Sequence, residues 1–366
     1  MNKGLFGNET ADRYQSGEII FSATNPGKGF VALDGTRKKA YERGIDKNFG
    51  QKLLKDGYGS PVWTTQTSNF GTTNITSVAY GNNLWVAGGN TGQIRTSTDG
   101  VTWTTRTSNF AATAGFMQIA YGNGVFAALG PAQFSGVAVR TSTDGVTWTT
   151  RGSDLSASGL ANRLKYIGGR FVGTYASTNT ITSTDGVTWT TSSYNFTGEG
   201  YGIAYGAGIW MLVTSGFVYT STDATTWTAL SSQNSVYGGY DVVYKNNKWI
   251  TNQQIPNVQY RSSSDTKFWV TETTKTTTVF ARFIDVPGVS HVYAISVGSG
   301  SPKIIRSLDG TQWSDVSSLP GVTINDLATD NRNGIWVAVG QSGVLLTANM
   351  RSNYALPLLE SGWVKS

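Results

Sequence analysis

Short apolar stretches separated by glycine- and asparagine-rich turns run through most of the chain. Residues 75–80 (Ile-Thr-Ser-Val-Ala-Tyr) are followed by a Gly-Asn turn, by the apolar run 84–87 and then by residues 93–97. Alternating apolar residues between such turns are typical of β-hairpins. The pattern predicts three successive antiparallel strands, with a fourth at 102–105.

A nine-residue segment at 97–105 (Ser-Thr-Asp-Gly-Val-Thr-Trp-Thr-Thr) ends this unit and recurs, identical in all nine positions, at 142–150 and 183–191. More divergent copies follow farther along the chain. The tryptophans of the series are 38 to 45 residues apart: Trp103, Trp148, Trp189, Trp227, Trp269 and Trp313. A period of this length is typical of a four-stranded propeller blade.

The sequence therefore predicts an all-β fold, a seven-bladed β-propeller with four-stranded blades. Six blades end at the six tryptophans, and a seventh begins near residue 324 with no tryptophan following its third strand at the repeat distance. We expect the N-terminal strand around Trp63 to supply its missing fourth strand, because such closure removes the exposed sheet edges. A strand from Tyr354 or from 362–364 is the alternative.

The repeated Ser-x-Asp-x-Gly-x-x-Trp motif resembles the Asp-box (BNR-type) repeat of sialidases and many unrelated propellers. The resemblance implies a structural role, in which the carboxylate accepts backbone hydrogen bonds in a turn and the tryptophan packs across the hairpin. The aspartates to which it assigns this role are Asp99, Asp144, Asp185, Asp223, Asp265 and Asp309.

Residues 1–59 do not fit the repeat and are predicted to form a small α+β module, with residues 60–366 as the propeller domain. Strands are predicted at 17–22 and 30–33, and a helical pattern runs from Lys38 to Leu54. Gly-Glu-Ile-Ile, Pro-Gly-Lys-Gly-Phe and Leu-Asp-Gly resemble the collar domain of phage tail-fibre proteins, with Phe30 in place of its Trp and Leu33 in place of its Cys. The resemblance implies an attachment module.

The amino-acid composition excludes several kinds of functional site. The chain has no cysteine, which excludes disulfides, thiolate metal sites and cysteine nucleophiles. No stretch approaches the roughly 18 apolar residues of a membrane span, and the N-terminus has no apolar signal-peptide region. The net charge of +6 is spread along the chain, so we expect a solvated basic surface and no nucleic-acid partner. Nothing indicates a cofactor or a metal site.

Candidate functional residues are few. A sialidase is disfavoured, because its Arg-Ile-Pro signature is absent. Another glycosidase would need two suitably spaced carboxylates, for which the sequence offers Asp154, Glu199, Asp241, Glu272, Asp285 and Asp326. Asp241 and Asp326 begin innermost strands, where propeller sites often lie. The candidate binding residues are these two and an arc of arginines that share one strand position: Arg95, Arg140 and Arg261. Solvated arginines are the alternative interpretation of that arc.

The resulting expectation is a non-enzymatic structural protein of a phage tail, made in the host cytoplasm and located in the virion. The collar-like module would attach it, and a rigid propeller would bind host-surface glycan or neighbouring tail subunits, with a homo-oligomer expected within the virion. Two alternatives remain: a virion-associated glycan-degrading enzyme, and a nozzle component without host contact.

Overall fold

Strands form wherever the sequence alternates apolar residues between Gly and Asn turns. The structure, a computed structural model, describes residues 19–21, 30–33, 62–112, 115–132, 137–151, 161–175, 179–192, 196–198, 200–214, 216–230, 239–252, 259–263, 270–273, 279–284, 286, 291–297, 301–310, 312–330, 334–349 and 362–365. Two compact units are present, one made of 1–61 and 350–366 and the other of 62–349. The tail after residue 349 thus groups with the first unit, whereas the sequence prediction assigned it to the propeller.

The larger unit is a β-propeller with four-stranded antiparallel blades. Its described residues form seven four-stranded sheets, numbered here in the order of their innermost strands. Sheets 1 to 3 are β4–β7 (Ile75–Gly81, Leu84–Gly89, Ile94–Ser97, Thr104–Arg106), β8–β11 (Gln118–Gly122, Val125–Pro131, Val137–Ser142, Thr149–Thr150) and β12–β15 (Ala161–Ile167, Arg170–Tyr175, Asn179–Ser183, Thr190–Ser192).

The next three sheets follow the same order from centre to rim. Sheets 4 to 6 are β16–β19 (Gly200–Gly206, Ile209–Thr214, Val218–Ser221, Thr228–Ala229), β20–β23 (Val242–Lys245, Lys248–Asn252, Gln259–Ser263, Val270–Thr273) and β24–β27 (Val279–Ile284, Val292–Val297, Lys303–Ser307, Ser314–Ser318). Helix is nearly absent from the described residues; two 3-10 turns occur at Asn90–Gly92 and Gln341–Gly343.

Sheet 7 joins the two ends of the propeller sequence. It consists of β28 (Ile324–Thr329), β29 (Ile335–Gly340), β30 (Leu345–Asn349) and the early strand β3 (Thr64–Thr65). Thr64 pairs with Thr347, and the Gln66 side chain donates to the Thr347 hydroxyl at 2.8 Å. The predicted N-terminal closure is therefore present in the structure.

The alternative closing segment lies in the other unit. There β31 (Gly362–Lys365) is the middle strand between β1 (Ile19–Phe21) and β2 (Phe30–Leu33), antiparallel to both. Strands are thus found within both segments for which the sequence predicted them near the N-terminus. The predicted helix from Lys38 to Leu54 lies outside the described residues.

Neighbouring innermost strands pack through a tyrosine of one sheet and a glycine at the end of the innermost strand of the preceding sheet. Tyr121 packs on Phe126 of its own sheet, with ring centroids 4.6 Å apart. It also packs on Gly81 of the preceding sheet. A Cβ on Gly81 would lie 2.0 Å from the Tyr121 ring. The same Tyr-to-Gly packing recurs between the next sheets at three further pairs: Tyr166 on Gly122, Tyr205 on Gly168 and Tyr244 on Gly206. The recurring tyrosines therefore pack between sheets, as their regular spacing suggested.

The repeated Asp turn is held by its own side chains. Asp99 Oδ1 accepts hydrogen bonds from the backbone N–H groups of Val101 and Thr102 and from the Ser97 hydroxyl, each at 2.8 Å. The Trp103 indole N–H donates to the Gly100 carbonyl at 2.9 Å. Equivalent carboxylate bonds occur at Asp144, Asp185, Asp223 and Asp309. Asp265 and Trp269 lie outside the described residues.

One copy departs from this pattern at its tryptophan. Trp227 donates instead to the Thr180 hydroxyl of sheet 3 at 3.2 Å, and the Gly position of its turn is Ala224 with φ of 58°. The turn thus keeps its carboxylate hydrogen bonds when the glycine is lost, whereas the indole bond changes partner.

Removing one of these carboxylates is expected to cost stability modestly. Asp144→Ala should lower the free energy of unfolding by about 1–2 kcal/mol, because three donors lose an acceptor at an exposed turn where water can partly replace it. Chemical denaturation followed by circular dichroism measures the change. Asp144→Asn, which keeps one acceptor oxygen, is the matched control and should cost less; an equal loss would contradict the hydrogen-bonding role.

The same turn predicts a direction of pH dependence. Backbone N–H donors, first that of Thr147, lower the pKa of Asp144 to about 2, and the N–H of Thr188 leads the same effect at Asp185, whose pKa is also about 2. A carboxyl group whose pKa is lower in the folded state stabilises the fold above its unfolded pKa of about 3.9. That stabilisation is lost as the pH falls from about 4 to about 2, so wild-type thermal stability should fall in this window and Asp144→Asn should fall less.

Candidate functional site

Seven residues share one position on the innermost strands, three residues before the recurring tyrosine position or its counterpart. Local irregularities of register directly precede several of them, for example between Ile75 and Ser77 and between Phe280 and Arg282. Such bulges turn a side chain away from the regular alternation of a strand. The set is mostly polar and charged: Ser77, Gln118, Arg163, Gly202, Asp241, Arg282 and Asp326.

Asp241, directly before β20, is the most deeply placed of the set and is completely buried. One carboxylate oxygen lies 2.9 Å from an Arg163 guanidinium nitrogen and accepts from the Phe283 N–H at 3.0 Å. The other oxygen accepts from the Val242 N–H at 2.9 Å and lies 3.6 Å from the Lys165 ammonium. Sheets 3, 5 and 6 therefore meet on one carboxylate.

Arg163 reaches Asp241 across the intervening sheet 4. Its Nε donates to the Tyr201 carbonyl at 2.9 Å, and Lys165 donates to the Ile203 carbonyl at the same distance. Between those two carbonyls lies Gly202, whose added Cβ would lie 2.5 Å from the Asp241 Cα. Sheet 4 thus contributes no side chain at this position, and its neighbours on both sides bond across it.

Asp326 forms a second centre on the opposite flank of sheet 6. One oxygen accepts from the Arg282 guanidinium and from the Leu327 N–H at 3.0 Å. The other accepts from the Ser77 hydroxyl at 2.9 Å and the Val78 N–H at 3.0 Å. Asp326 therefore ties sheets 6, 7 and 1 together, at the junction where the ring closes.

The pKa values of Arg163 and Asp241 depend on their burial and on the charges around them. Burial lowers the pKa of Arg163, and the positive charge of Arg282 lowers it further against the opposing attraction of Asp241 and Asp326, to about 10. Burial alone would raise the pKa of Asp241, but Arg163, Lys165 and Arg282 outweigh it and the pKa is lowered. Asp241 is consequently a permanent anion at neutral pH.

These two aspartates were predicted as candidate binding or acid-base residues, and the structure gives both of them several donors. A general acid in a glycosidase needs a raised pKa, which is the reverse of what Asp241 has. Asp154, Glu199 and Asp285 lie outside the described residues, as does the side chain of Glu272. Among the described residues, no three His, Cys, Asp or Glu groups lie close enough to hold a metal ion, and no helix is long and apolar enough to cross a membrane.

The predicted arginine arc takes a different form. Arg95 is 8% exposed, lies over the Phe70 ring at 4.8 Å and donates to the Asn69 carbonyl at 3.0 Å. Arg140 is 6% exposed and bonds equivalently to Asn109 and Phe110. Each arginine holds the connection that enters its own sheet, so neither the exposed arc nor the solvated alternative describes these two. The side chain of Arg261 lies outside the described residues.

A cavity of about 320 Å³ opens at the centre of the ring beside the cluster. Arg163, Lys165, Arg282 and Asp326 line it together with Gln118 and the recurring tyrosines. The side chain of Lys165 is 26% exposed, against 15% for Arg282 and 6% for Arg163. Lys165 therefore presents the most accessible charge of the cluster.

Sequence reasoning identified Asp241 and Asp326 but missed their cationic partners, Arg163, Lys165 and Arg282. A signal was present in the spacing. Counting back three residues from Tyr80, Tyr121, Tyr166, Tyr205 and Tyr244 reaches Ser77, Gln118, Arg163, Gly202 and Asp241. Aligning the innermost strands on the tyrosine would have put a buried arginine and an aspartate at one level of the ring.

The sequence matches no protein-family model and no curated protein. The fold, however, is shared with several solved structures. YCF48 bound to D1 peptide is 14% identical with a TM-score of 0.61, covering 80% of this chain and 96% of that one. Selenomethionine-substituted virginiamycin B lyase from Staphylococcus aureus is 8% identical, with a TM-score of 0.62 and coverages of 79% and 99%.

A third structure, the WD40 β-propeller domain of Doa1, is 11% identical with a TM-score of 0.59 and coverages of 81% and 99%. The three proteins differ in what their names say they do, and identities this low carry no function from one to another. What they share with this chain is the β-propeller.

Proposed function

We propose that this chain is a non-enzymatic structural protein of a phage tail, in which a seven-bladed propeller of Asp-box repeats serves as a rigid binding disc. The observation that carries the proposal is the division of the chain into a ring and a second unit that gathers both ends of the sequence. The second unit contains the residues that resemble a tail collar domain. Attachment and recognition would then belong to separate units.

The seven-blade count is supported by the seven four-stranded sheets and by ring closure through β3. The Asp-box assignment is supported by the turn geometry, in which one carboxylate oxygen accepts from two backbone N–H groups and a serine hydroxyl. Both features favour a stiff scaffold whose surface can vary.

The non-enzymatic part of the proposal is supported by the centre of the ring. Both central carboxylates are saturated with hydrogen-bond donors, and the pKa of Asp241 is lowered. A carboxylate fixed in this way stabilises sheets against one another and is poorly suited to exchange protons with a substrate.

The decisive experiment examines virions of the phage or prophage whose genome carries this sequence. We expect mass spectrometry of purified tailed particles to detect the chain, and antibody labelling to place it on the tail. Its absence from purified particles would overturn the proposal. A ring of six or twelve copies would favour a nozzle, and trimers would favour a fibre.

The glycan-degrading alternative has a separate test. The purified full chain, incubated with host capsule or lipopolysaccharide, is expected to release no sugar fragments. Fragment release by the wild type that Asp326→Asn abolishes, with the variant still folded by circular dichroism, would show that the ring is an enzyme.

A further inference from the structure

The described residues that line the central cavity carry more positive than negative charge. Among the described residues that line it, Arg163, Lys165 and Arg282 are cations and Asp326 is the one carboxylate. Asp241 lies behind the lining and is completely buried. Three positive charges against two negative ones leave this cluster with a net charge of +1.

The two carboxylates have little capacity left for a ligand. Each oxygen of Asp241 and of Asp326 already has two positively charged or hydrogen-bonding partners within the protein. A cationic ligand would have to displace some of them. The most exposed charged side chain of the cluster is that of Lys165, at 26%, against 15% for Arg282 and 13% for Asp326, so the cavity favours an anion.

The size of the cavity and the residues of its wall indicate which class of anion it could bind. A volume of about 320 Å³ is at the lower end of the range for small-molecule pockets. The wall combines cations with the buried Gln118 and with apolar groups such as Ile119 and Leu164. A charged site beside apolar surface suits a small organic acid better than a fully hydrated inorganic ion.

We propose that the central cavity of the propeller binds the carboxylate of a small organic acid, with Lys165 as its principal contact and Arg282 as a second cation nearby. Arg163 supports the site by holding Asp241, which fixes the position of Lys165. The inference goes beyond the virion proposal and does not depend on it, since it rests on the ring alone.

Calorimetric titration of the purified full chain in a low-salt buffer free of carboxylates tests the site. The probes are acetate, succinate and D-glucuronate, each compared with its uncharged counterpart, acetamide, succinamide or D-glucose. We expect at least one acid to bind and its neutral counterpart to bind at least tenfold more weakly. Lys165→Met should weaken that binding at least tenfold and Lys165→Arg should retain most of it.

Lys248→Met is the matched control, because Lys248 begins β21 and is outside the cavity lining; it should leave the affinity unchanged. If Lys165→Met does not fold, a measurement on the wild-type protein still tests the proposal. The bound acid should slow the reaction of Lys165 with an amine-modifying reagent in the wild type, and leave that of Lys248 unaltered. Binding by none of the acids, equal binding of the neutral compounds, or absence of protection at Lys165 would each overturn the proposal.

Discussion

Asp241→Asn is expected to lower the free energy of unfolding by about 3–5 kcal/mol, the usual cost of breaking a buried ion pair by removing one partner. The substitution leaves the Arg163 guanidinium, only 6% exposed, without its carboxylate. It also sets an amide NH2 group against the backbone N–H donors of Val242 or Phe283. Urea denaturation followed by tryptophan fluorescence measures the loss.

A surface pair of the same chemistry is the control for this loss. Lys303 and Asp315 lie 2.6 Å apart with side chains 43% and 62% exposed, so Asp315→Asn should change stability by no more than about 1 kcal/mol. In addition, Arg163→Met combined with Asp241→Asn should cost less than the two single losses added together, because the double variant no longer buries the Arg163 guanidinium without its carboxylate. If Asp241→Asn costs no more than Asp315→Asn, the central cluster does not stabilise the ring.

The contribution of Asp241 to the stability of the fold is expected to depend on pH. Because its pKa is lower in the folded protein than the unfolded value of about 3.9, its stabilisation is fully present above that value and is lost as the pH falls through the folded pKa. The stability difference between wild type and Asp241→Asn should therefore be constant from pH 5 to 7 and should shrink below about pH 4. A difference that grew with acid would contradict the ion pair.

Gly202→Ala is the second substitution with a large expected effect, a loss of about 3 kcal/mol or a failure to fold. The new methyl group would lie 2.5 Å from the Asp241 Cα and 2.7 Å from the Val242 nitrogen, both backbone atoms that cannot move without shifting sheet 5. Overpacking of this kind costs typically 1–3 kcal/mol, and separation of Arg163 from Asp241 would add to it. Thermal unfolding followed by circular dichroism detects either outcome.

Gly216→Ala is the matched control. No atom lies within 4 Å of the position that its Cβ would take, and Gly216 has no left-handed φ. We expect no loss, or a gain of up to about 1 kcal/mol from the reduced entropy of the unfolded chain. Equal losses at Gly202 and Gly216 would show that backbone conformation, and not the crossing of sheet 4 by Arg163, determines the result.

The parts of the molecule built by repetition could be predicted from the sequence. The Asp turn is local, since its carboxylate bonds lie within three residues, and Trp63 revealed the closing strand because the segment around it repeats that around Trp103. The tyrosine packing could also be predicted, because one residue type recurs at one position. Local geometry and repetition need no knowledge of which sheets face each other.

The central cluster could be predicted only in part, because it depends on pairs from non-adjacent sheets. Asp241 was visible as a carboxylate at a strand start, but Arg163 lies 78 positions earlier and reaches it only because Gly202 lacks a side chain. The arginine arc was misjudged for a related reason. Spacing placed Arg95 and Arg140 at one strand position, but only the packing shows that phenylalanine rings and loop carbonyls cover them.

The closing strand has a consequence for synthesis on the ribosome. The hydrogen bond from Gln66 to Thr347 cannot form until Thr347 has been synthesised, 281 residues after Gln66. At roughly 5–20 residues per second this interval is on the order of 15 to 55 s. During it β3 has no partner strand, because β30 has not yet been synthesised, and the two strands pair in one late step. Strand pairing between two nascent chains on one messenger RNA would compete with that step. Closely spaced ribosomes should therefore increase the fraction of intermolecularly paired, misfolded chains, and slower translation initiation should reduce it.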